Sequence, residues 1–195
     1  TTMGVNSTFP VDWTLTIKDS SNVVVRTLTG TGAVISQVWD GYNSNGVVVP
    51  DGVYTYQFQG THVETGITVT SAAGQVTVDV TSPLAEISSP VENQVLLRDD
   101  PLTFLGTAND RDPLSYTLAY GTGPSPGSFT TLVTASGRVV NGTLYTLNFR
   151  QHHTEGRRFP PGTYTFRLTV QDRVDNVTTL DRHVTFDYLY ITNVS

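Results

Sequence analysis

One segment of this 195-residue chain occurs twice with identical spacing. Residues 39–58 read WDGYNSNGVVVPDGVYTYQF, and residues 149–168 read FRQHHTEGRRFPPGTYTFRL. Aligned without gaps, the two copies share aromatic, glycine and proline positions, and they differ mostly at polar ones. Because aromatics fill cores while glycines and prolines shape turns, the repeat predicts one structural module built twice in tandem.

The hydrophobic pattern has a period of two. Trp13, Leu15 and Ile17 alternate with polar residues, and the same alternation follows Tyr54 in the first copy and Tyr164 in the second. No stretch sustains the 3.6-residue period of a helix. Turn pairs such as Asp-Gly, Asn-Gly and Pro-Gly recur every ~8–12 residues. The sequence therefore predicts an all-β chain of two tandem immunoglobulin-like or fibronectin III-like β-sandwiches.

The module boundary is expected at Val80-Thr81-Ser82-Pro83, which gives modules of 1–80 and 81–189. The linker is short and lacks a Gly/Ser tract, so it should join the modules stiffly. Seven strands, the count of an immunoglobulin-like sandwich, are predicted in the second module, near residues 84–88, 102–108, 114–120, 128–134, 143–149, 163–171 and 177–187.

The first module is expected to lack its first strand. Its segment 13–17 matches 116–120 of the second module, but it has far fewer residues before that segment. Beyond the second module, residues 183–195 echo residues 75–88. Residues 190–195 are therefore interpreted as the start of a further module.

The shared Pro-x-Gly-x-Tyr element is typical of a tyrosine corner, in which the hydroxyl of a tyrosine at the start of the sixth strand bonds upstream backbone. Gly52 and Gly162 should supply the turn before it. Tyr56 and Phe166 then fill the position of the disulfide cysteine of antibody domains, and Trp13 and Tyr116 the position of the core tryptophan. The predicted structural residues are Trp13, Trp39, Tyr54, Tyr56, Tyr116, Phe149, Tyr164 and Phe166.

A family resemblance rests on three motifs within residues 11–60: IKDSSNVVVRTL, WDGYNSNG and VPDGVYTY. This region resembles the Ig-like domain of the flagellar hook-capping protein. Residues 82–189 resemble Ig-like repeats of large exported bacterial proteins. The resemblance implies an extracellular or cell-surface location, but not hook capping, because nothing matches the segment with which that protein binds the flagellar structure.

Charge and composition exclude several functions. A net charge of -6 with 11 scattered Lys and Arg disfavours nucleic acid or an anionic membrane as a partner. The absence of cysteine excludes disulfides, thiol catalysis and cysteine-based zinc sites. No apolar run approaches the ~20 residues that span a bilayer, so membrane insertion is not expected.

Two acidic loops are weak candidates for Ca²⁺ binding, because both should emerge at the same end of the second sandwich and carboxylate oxygens are calcium ligands. Neutralisation by Arg111 and Arg173, together with the ordinary turn chemistry of an Asp-x-x-Asp-Asn sequence, is the favoured alternative. No other cofactor is expected. The candidate ligands are Asp110, Asp112, Asp172 and Asp175, with Asp79 of the linker region as a further contributor.

No catalytic set can be assembled from the sequence. The four histidines, His62, His152, His153 and His183, lie outside any recognisable catalytic context, and the pair at 152–153 is interpreted as an exposed loop. The chain is therefore not expected to be an enzyme.

The favoured function is a non-catalytic structural spacer whose partners are the neighbouring domains of the same polypeptide. One alternative is an adhesion module that binds a glycan or a surface protein through the loop aromatics Tyr42, Phe129 or Phe159. Another is the accessory tail of an extracellular enzyme whose catalytic domain lies outside these residues.

Overall fold

A computed structural model describes residues 1–97, 101–111, 114–148 and 159–187. The chain divides into unit 1, Thr1–Thr81, and unit 2, Ser82–Ser195, one residue beyond the boundary suggested by the sequence. Every regular element in these ranges is a β-strand, so the predicted all-β class is confirmed. Several predicted positions lie outside the described residues, namely Asp112, Phe149, His152, His153 and 190–195.

Unit 1 consists of one antiparallel sheet. Strand β1 lies between β2 and β3, and both β4 and β5 pair with the other edge of β3. The strands are β1 (Thr2–Lys18), β2 (Val24–Val38), β3 (Gly52–His62), β4 (Thr68–Thr70) and β5 (Gly74–Val78).

A bend in the long β1–β2 hairpin gives unit 1 its second layer. The register of this pair shifts between Asn6 and Val11, as at a bulge that bends a strand. Met3 and Ile35, beyond the shift, belong to the same buried cluster as Trp13. The end of the hairpin formed by residues 2–6 and 34–38 therefore folds over the face of its own sheet. The sequence predicts a sandwich, in which a separate sheet would take this place.

Unit 2 is a two-sheet sandwich with the order β10-β9-β12-β13-β7 in one sheet and β11-β8-β6 in the other. The seven predicted strands are all present, and β7 is an addition that pairs in parallel with β13. The strands are β6 (Leu84–Ser89), β7 (Gln94–Leu97), β8 (Leu102–Asn109), β9 (Leu114–Thr122), β10 (Thr130–Ser136), β11 (Val139–Leu147), β12 (Gly162–Asp172) and β13 (Val177–Asp187).

The two units share one strand register. Strand β1 pairs with β3 as β9 pairs with β12: Leu15 lies opposite Phe58, and Leu118 lies opposite Leu168, the repeat equivalent of Phe58. Trp13 and Tyr116 occupy the matching place two residues earlier. The predicted equivalence of segments 13–17 and 116–120 is therefore confirmed.

In the three-stranded sheet of unit 2, strands β6 and β8 approach closely at one glycine. Gly106 of β8 lies opposite Ile87 of β6. A Cβ at Gly106 would collide with the backbone carbonyl of Glu86 and lie 3.0 Å from Leu144 Cδ1. Because the collision is with backbone, the neighbouring strand would have to move to admit a side chain.

Gly106→Ala should therefore destabilise the protein by roughly 1–3 kcal/mol, the usual cost of overpacking. Gly127→Ala is the matched control, because a Cβ there meets nothing within 4 Å. Chemical denaturation followed by far-UV circular dichroism measures both variants. Equal midpoints for the two alanine variants would contradict the close approach of β6 to β8.

Candidate functional site

Both repeated tyrosines form the predicted corner. The Tyr54 hydroxyl donates to the Pro50 carbonyl oxygen at 2.8 Å, and the Tyr164 hydroxyl donates to the Pro160 carbonyl oxygen at 3.0 Å. Both rings are buried. Burial, followed by the nearby negative charges of Asp19 and Asp51, raises the pKa of Tyr54, which keeps the hydroxyl protonated as a donor. The predicted hydrogen bond to upstream backbone is confirmed at both sites.

The turn before each corner differs between the copies. Gly162 has a φ of +144°, a region open to glycine but not to other residues. Gly52 does not adopt a positive φ. The predicted need for glycine is therefore correct at Gly162 and wrong at Gly52, because the first copy turns without that backbone conformation.

An aromatic ring packs edge-on against each corner tyrosine. The ring centroids of Trp39 and Tyr54 lie 5.2 Å apart. The indole N–H of Trp39 also donates a hydrogen bond to the Tyr42 carbonyl oxygen at 2.9 Å. Phe159 takes this place in unit 2, 5.3 Å from Tyr164. Phe159 is only 4% exposed. The interpretation of Phe159 as an exposed binding aromatic is therefore wrong.

The remaining predicted core aromatics are mostly buried. Trp13, Tyr116 and Phe166 are buried, while Tyr56 is half-buried at the margin of the unit 1 core. The Tyr116 hydroxyl donates to the Leu144 carbonyl at 2.9 Å and so ties β9 to β11 across the sandwich. Burial raises the pKa of Tyr116.

The acidic loop between β12 and β13 is a hydrogen-bonded turn. Asp172 Oδ1 accepts from the Val174 and Asn176 amides at 2.8 and 2.9 Å, and Oδ2 accepts from the Asn176 side chain at 2.7 Å. Asp175 has a φ of +71° and accepts from Gln171 Nε2. Both oxygens of Asp172 are thus used inside their own loop, as turn chemistry predicts.

Two of the other candidate ligands, Asp110 and Asp79, lie in described loops. Asp110 is buried in the loop after β8, and Asp79 Oδ1 accepts from the Thr81 amide at 3.2 Å. Within the described ranges, no three His, Cys, Asp or Glu side chains are grouped so that they could hold a metal ion. Neutralisation of the carboxylates by Arg111 and Arg173 stays a prediction.

Of the loop aromatics, Tyr42 is 41% exposed. Phe129 is half-buried beneath Arg167, whose guanidinium carbon lies 4.1 Å from its ring centroid. Arg167 also forms a two-pronged ion pair with Asp181, at 2.7 and 2.8 Å. This pair lowers the pKa of Asp181 and raises that of Arg167, chiefly through the hydrogen bonds. The ring of Phe129 is therefore partly covered by Arg167 of β12 and is less accessible to a ligand than an open loop aromatic would be.

His183 of β13 contacts both Glu92 and Pro124, an arrangement that the sequence did not predict and that is called the His183 clasp below. Its Nδ1 lies 2.6 Å from Glu92 Oε1, and its Nε2 lies 3.1 Å from the Pro124 carbonyl oxygen. A carboxylate and a carbonyl only accept, so both contacts are hydrogen bonds at the same time only when the imidazole carries both protons and a positive charge. The bond to Glu92 accordingly raises the pKa of His183 and lowers that of Glu92. Arg182 adds a second contact to Glu92 at 3.4 Å.

The architecture defines the chain as a tandem of immunoglobulin-like modules. Residues 2–64 match the family described as the FlgD Ig-like domain, which confirms the resemblance and carries it beyond residues 11–60. Among solved structures, the fibronectin(III)-like modules of CbhA from Clostridium thermocellum are similar, with 14% identity and a TM-score of 0.45. That similarity covers 100% of this chain and 90% of the other. The comparison with curated proteins finds no match.

No helix in the described ranges could cross a membrane.

Removal of a corner hydroxyl should weaken the fold. Tyr164→Phe keeps the ring but leaves the Pro160 carbonyl without its donor, so a loss of about 0.5–1.5 kcal/mol or somewhat more is expected. Tyr42→Phe is the control, because it removes a hydroxyl from an exposed ring. Urea denaturation of each full-length variant measures the difference, and an unchanged midpoint for Tyr164→Phe would rule out a stabilising corner bond.

The clasp predicts a pH dependence of stability. Because the pKa of folded His183 is raised, its contribution is fully present below the unfolded value of about 6.5 and disappears as pH rises through the folded value. The lowered pKa of Glu92 makes its contribution disappear at the acidic end, as pH falls through the folded value. The clasp should therefore stabilise most between about pH 4.5 and 6.5.

His183→Gln should reduce the loss of stability that the parent shows between about pH 6 and pH 9. His62→Gln provides the comparison, since His62 Nδ1 accepts from backbone amides of its own turn at 3.2 and 3.3 Å. Denaturation midpoints across this range measure the effect. Parallel pH profiles for the parent and His183→Gln would mean that the clasp carries no charge.

Proposed function

We propose that this chain is a non-catalytic pair of Ig-like modules that acts as a structural spacer within a larger exported bacterial protein. The observation that carries the proposal is the anchoring of the junction. Asp51 accepts from the Val80 amide at 2.7 Å and from the Thr81 hydroxyl, both within unit 1. The Thr178 hydroxyl donates to the Pro83 carbonyl at 2.6 Å within unit 2. Ser82 is the one residue between these anchored positions.

Such a junction has little conformational freedom. Proline fixes φ just after the boundary, and a linker without glycine samples fewer conformations than a flexible tract. Each unit also has its own buried core, so each can act as a rigid body. A spacer needs this combination, because rigid units on a loose linker would not hold attached domains apart.

The polar groups with the most specific geometry serve the fold. The corner tyrosines, Asp172 and the His183 clasp each satisfy backbone or side-chain partners within their own unit. Of the three loop aromatics proposed for glycan or protein adhesion, Phe159 is in the core and Phe129 lies beneath Arg167. Adhesion is therefore the weaker proposal. The match to the FlgD Ig-like domain supports an exported setting through the resemblance described above.

Distance measurements between spin labels can test the spacer role. The chain has no native cysteine, so Val34→Cys and Val140→Cys introduce two labelling sites at exposed positions, 80% and 61% accessible. Pulsed electron paramagnetic resonance should give a narrow distance distribution. Insertion of Gly-Gly-Ser after Ser82 should broaden it.

Asp51→Ala should also broaden the distribution, because it frees residues 80 and 81 from unit 1. Asp40→Ala is the matched control: it removes a carboxylate that caps the Tyr42 amide at 3.0 Å, away from the linker. A parent distribution as broad as that of the Gly-Gly-Ser insertion would overturn the spacer proposal.

A further inference from the structure

The second layer of unit 1, which is the bent end of the β1–β2 hairpin, has one strand fewer than the three-stranded sheet that forms the second layer of unit 2. In unit 2, β8 lies between β11 and β6. In unit 1, residues 2–6 of β1 run antiparallel to residues 34–38 of β2, as β8 does to β11. No described strand pairs with the other edge of β1 before Val11. The position that β6 holds in unit 2 is therefore unfilled among the described strands of unit 1.

The opposite layer of unit 1 retains the surface on which β6 rests in unit 2. Strands β4 and β5 pair with β3 in the places where β13 pairs with β12. Val69 lies opposite Gly60 as Thr178 lies opposite Val170, the repeat equivalent of Gly60. In unit 2, Thr178 bonds the backbone just before β6. Val69 therefore marks the start of the corresponding position.

A cleft of about 760 Å³ lies at this position. One wall is formed by residues 5–9 of β1, and the other by the end of β3, the following turn and β4. Its exposed apolar side chains are Phe9, Ile67 and Val69, which are 58%, 64% and 67% accessible. Apolar side chains this exposed and this close together are typical of a surface that another segment covers.

We propose that the cleft binds an extended peptide strand, antiparallel to residues 5–9, with aliphatic side chains at alternate positions turned into the cleft. Its backbone would pair with the edge of β1, a common mode of peptide recognition. Strand β6 shows the chemistry of the occupant: Ile87 is 1% exposed and packs into the unit 2 core, while Glu86 and Ser88 lie outside it.

The cleft suits a peptide better than a small polar ligand. His62, the only imidazole in its lining, already accepts from two backbone amides through Nδ1 and packs edge-on against Phe9 at 5.4 Å. What the cleft offers is a strand edge beside aliphatic and aromatic surface. A strand satisfies both, because its main chain pairs with the edge and every second side chain is buried.

A synthetic peptide with the sequence of residues 83–90, PLAEISSP, is the probe. Titrated at millimolar concentration into the ¹⁵N-labelled full chain, it should shift the backbone amide resonances of residues 5–9 and 67–71 in a saturable manner. The control peptide carries the Ala85→Ser and Ile87→Ser changes, at the two alternate positions that face the core in β6, and should not saturate. Methylation of alternate backbone nitrogens should also weaken binding, because it removes the strand-pairing donors.

Val69→Lys should weaken peptide binding by about tenfold or more, since it places a charge in the apolar cleft. Val34→Lys, 80% exposed and outside the cleft lining, should leave binding unchanged. Equal binding of both peptides, or full binding to Val69→Lys, would overturn the proposal. So would concentration-dependent shifts of the same amides without peptide, because the occupant would then be a second copy of this chain. None of these outcomes bears on the spacer proposal, which depends on the junction.

Discussion

The central strand of each unit, β3 or β12, is paired on both sides in a fixed register. The corner hydrogen bond fixes where that strand begins, because the tyrosine hydroxyl and the proline carbonyl are only four residues apart. Alternation then turns Phe58 or Leu168 into the core. A slip of one residue would expose these side chains and turn Gln57 or Arg167 toward the core, so every neighbouring strand depends on this register.

The same sheet face is covered in two physically different ways. Unit 2 uses a separate sheet, in which β6 and β8 approach closely at Gly106. Phe104 of this sheet contacts Phe166 of the other, with ring centroids 4.7 Å apart. Unit 1 uses the bent end of its own hairpin, with Met3 and Ile35 as the covering side chains. A hairpin has only two strands, so it covers less of the face than three do, and the cleft beside β1 is the result.

Local patterns predicted the strands, the corners and the turn at Asp172, because each depends on residues close in sequence. What the sequence missed depends on distant partners. Strand β7 is short and pairs in parallel with β13 at the edge of the five-stranded sheet. His183 meets Glu92 across 91 positions of sequence. Phe159, beside two prolines, has the local pattern of a loop, and only the fold shows its ring against Tyr164.

The placement of the sequence repeat has a physical explanation in these two covering layers. Residues 39–58 and 149–168 include the start of the central strand and its corner tyrosine, which both units build alike in residues 52–58 and 162–168. The covering segments pair with different strands: β8 pairs with β6 as well as β11, whereas residues 2–6 pair with β2 alone among the described strands. Similarity is therefore retained where one register must be kept, and it is lost where the second layer can be built in more than one way.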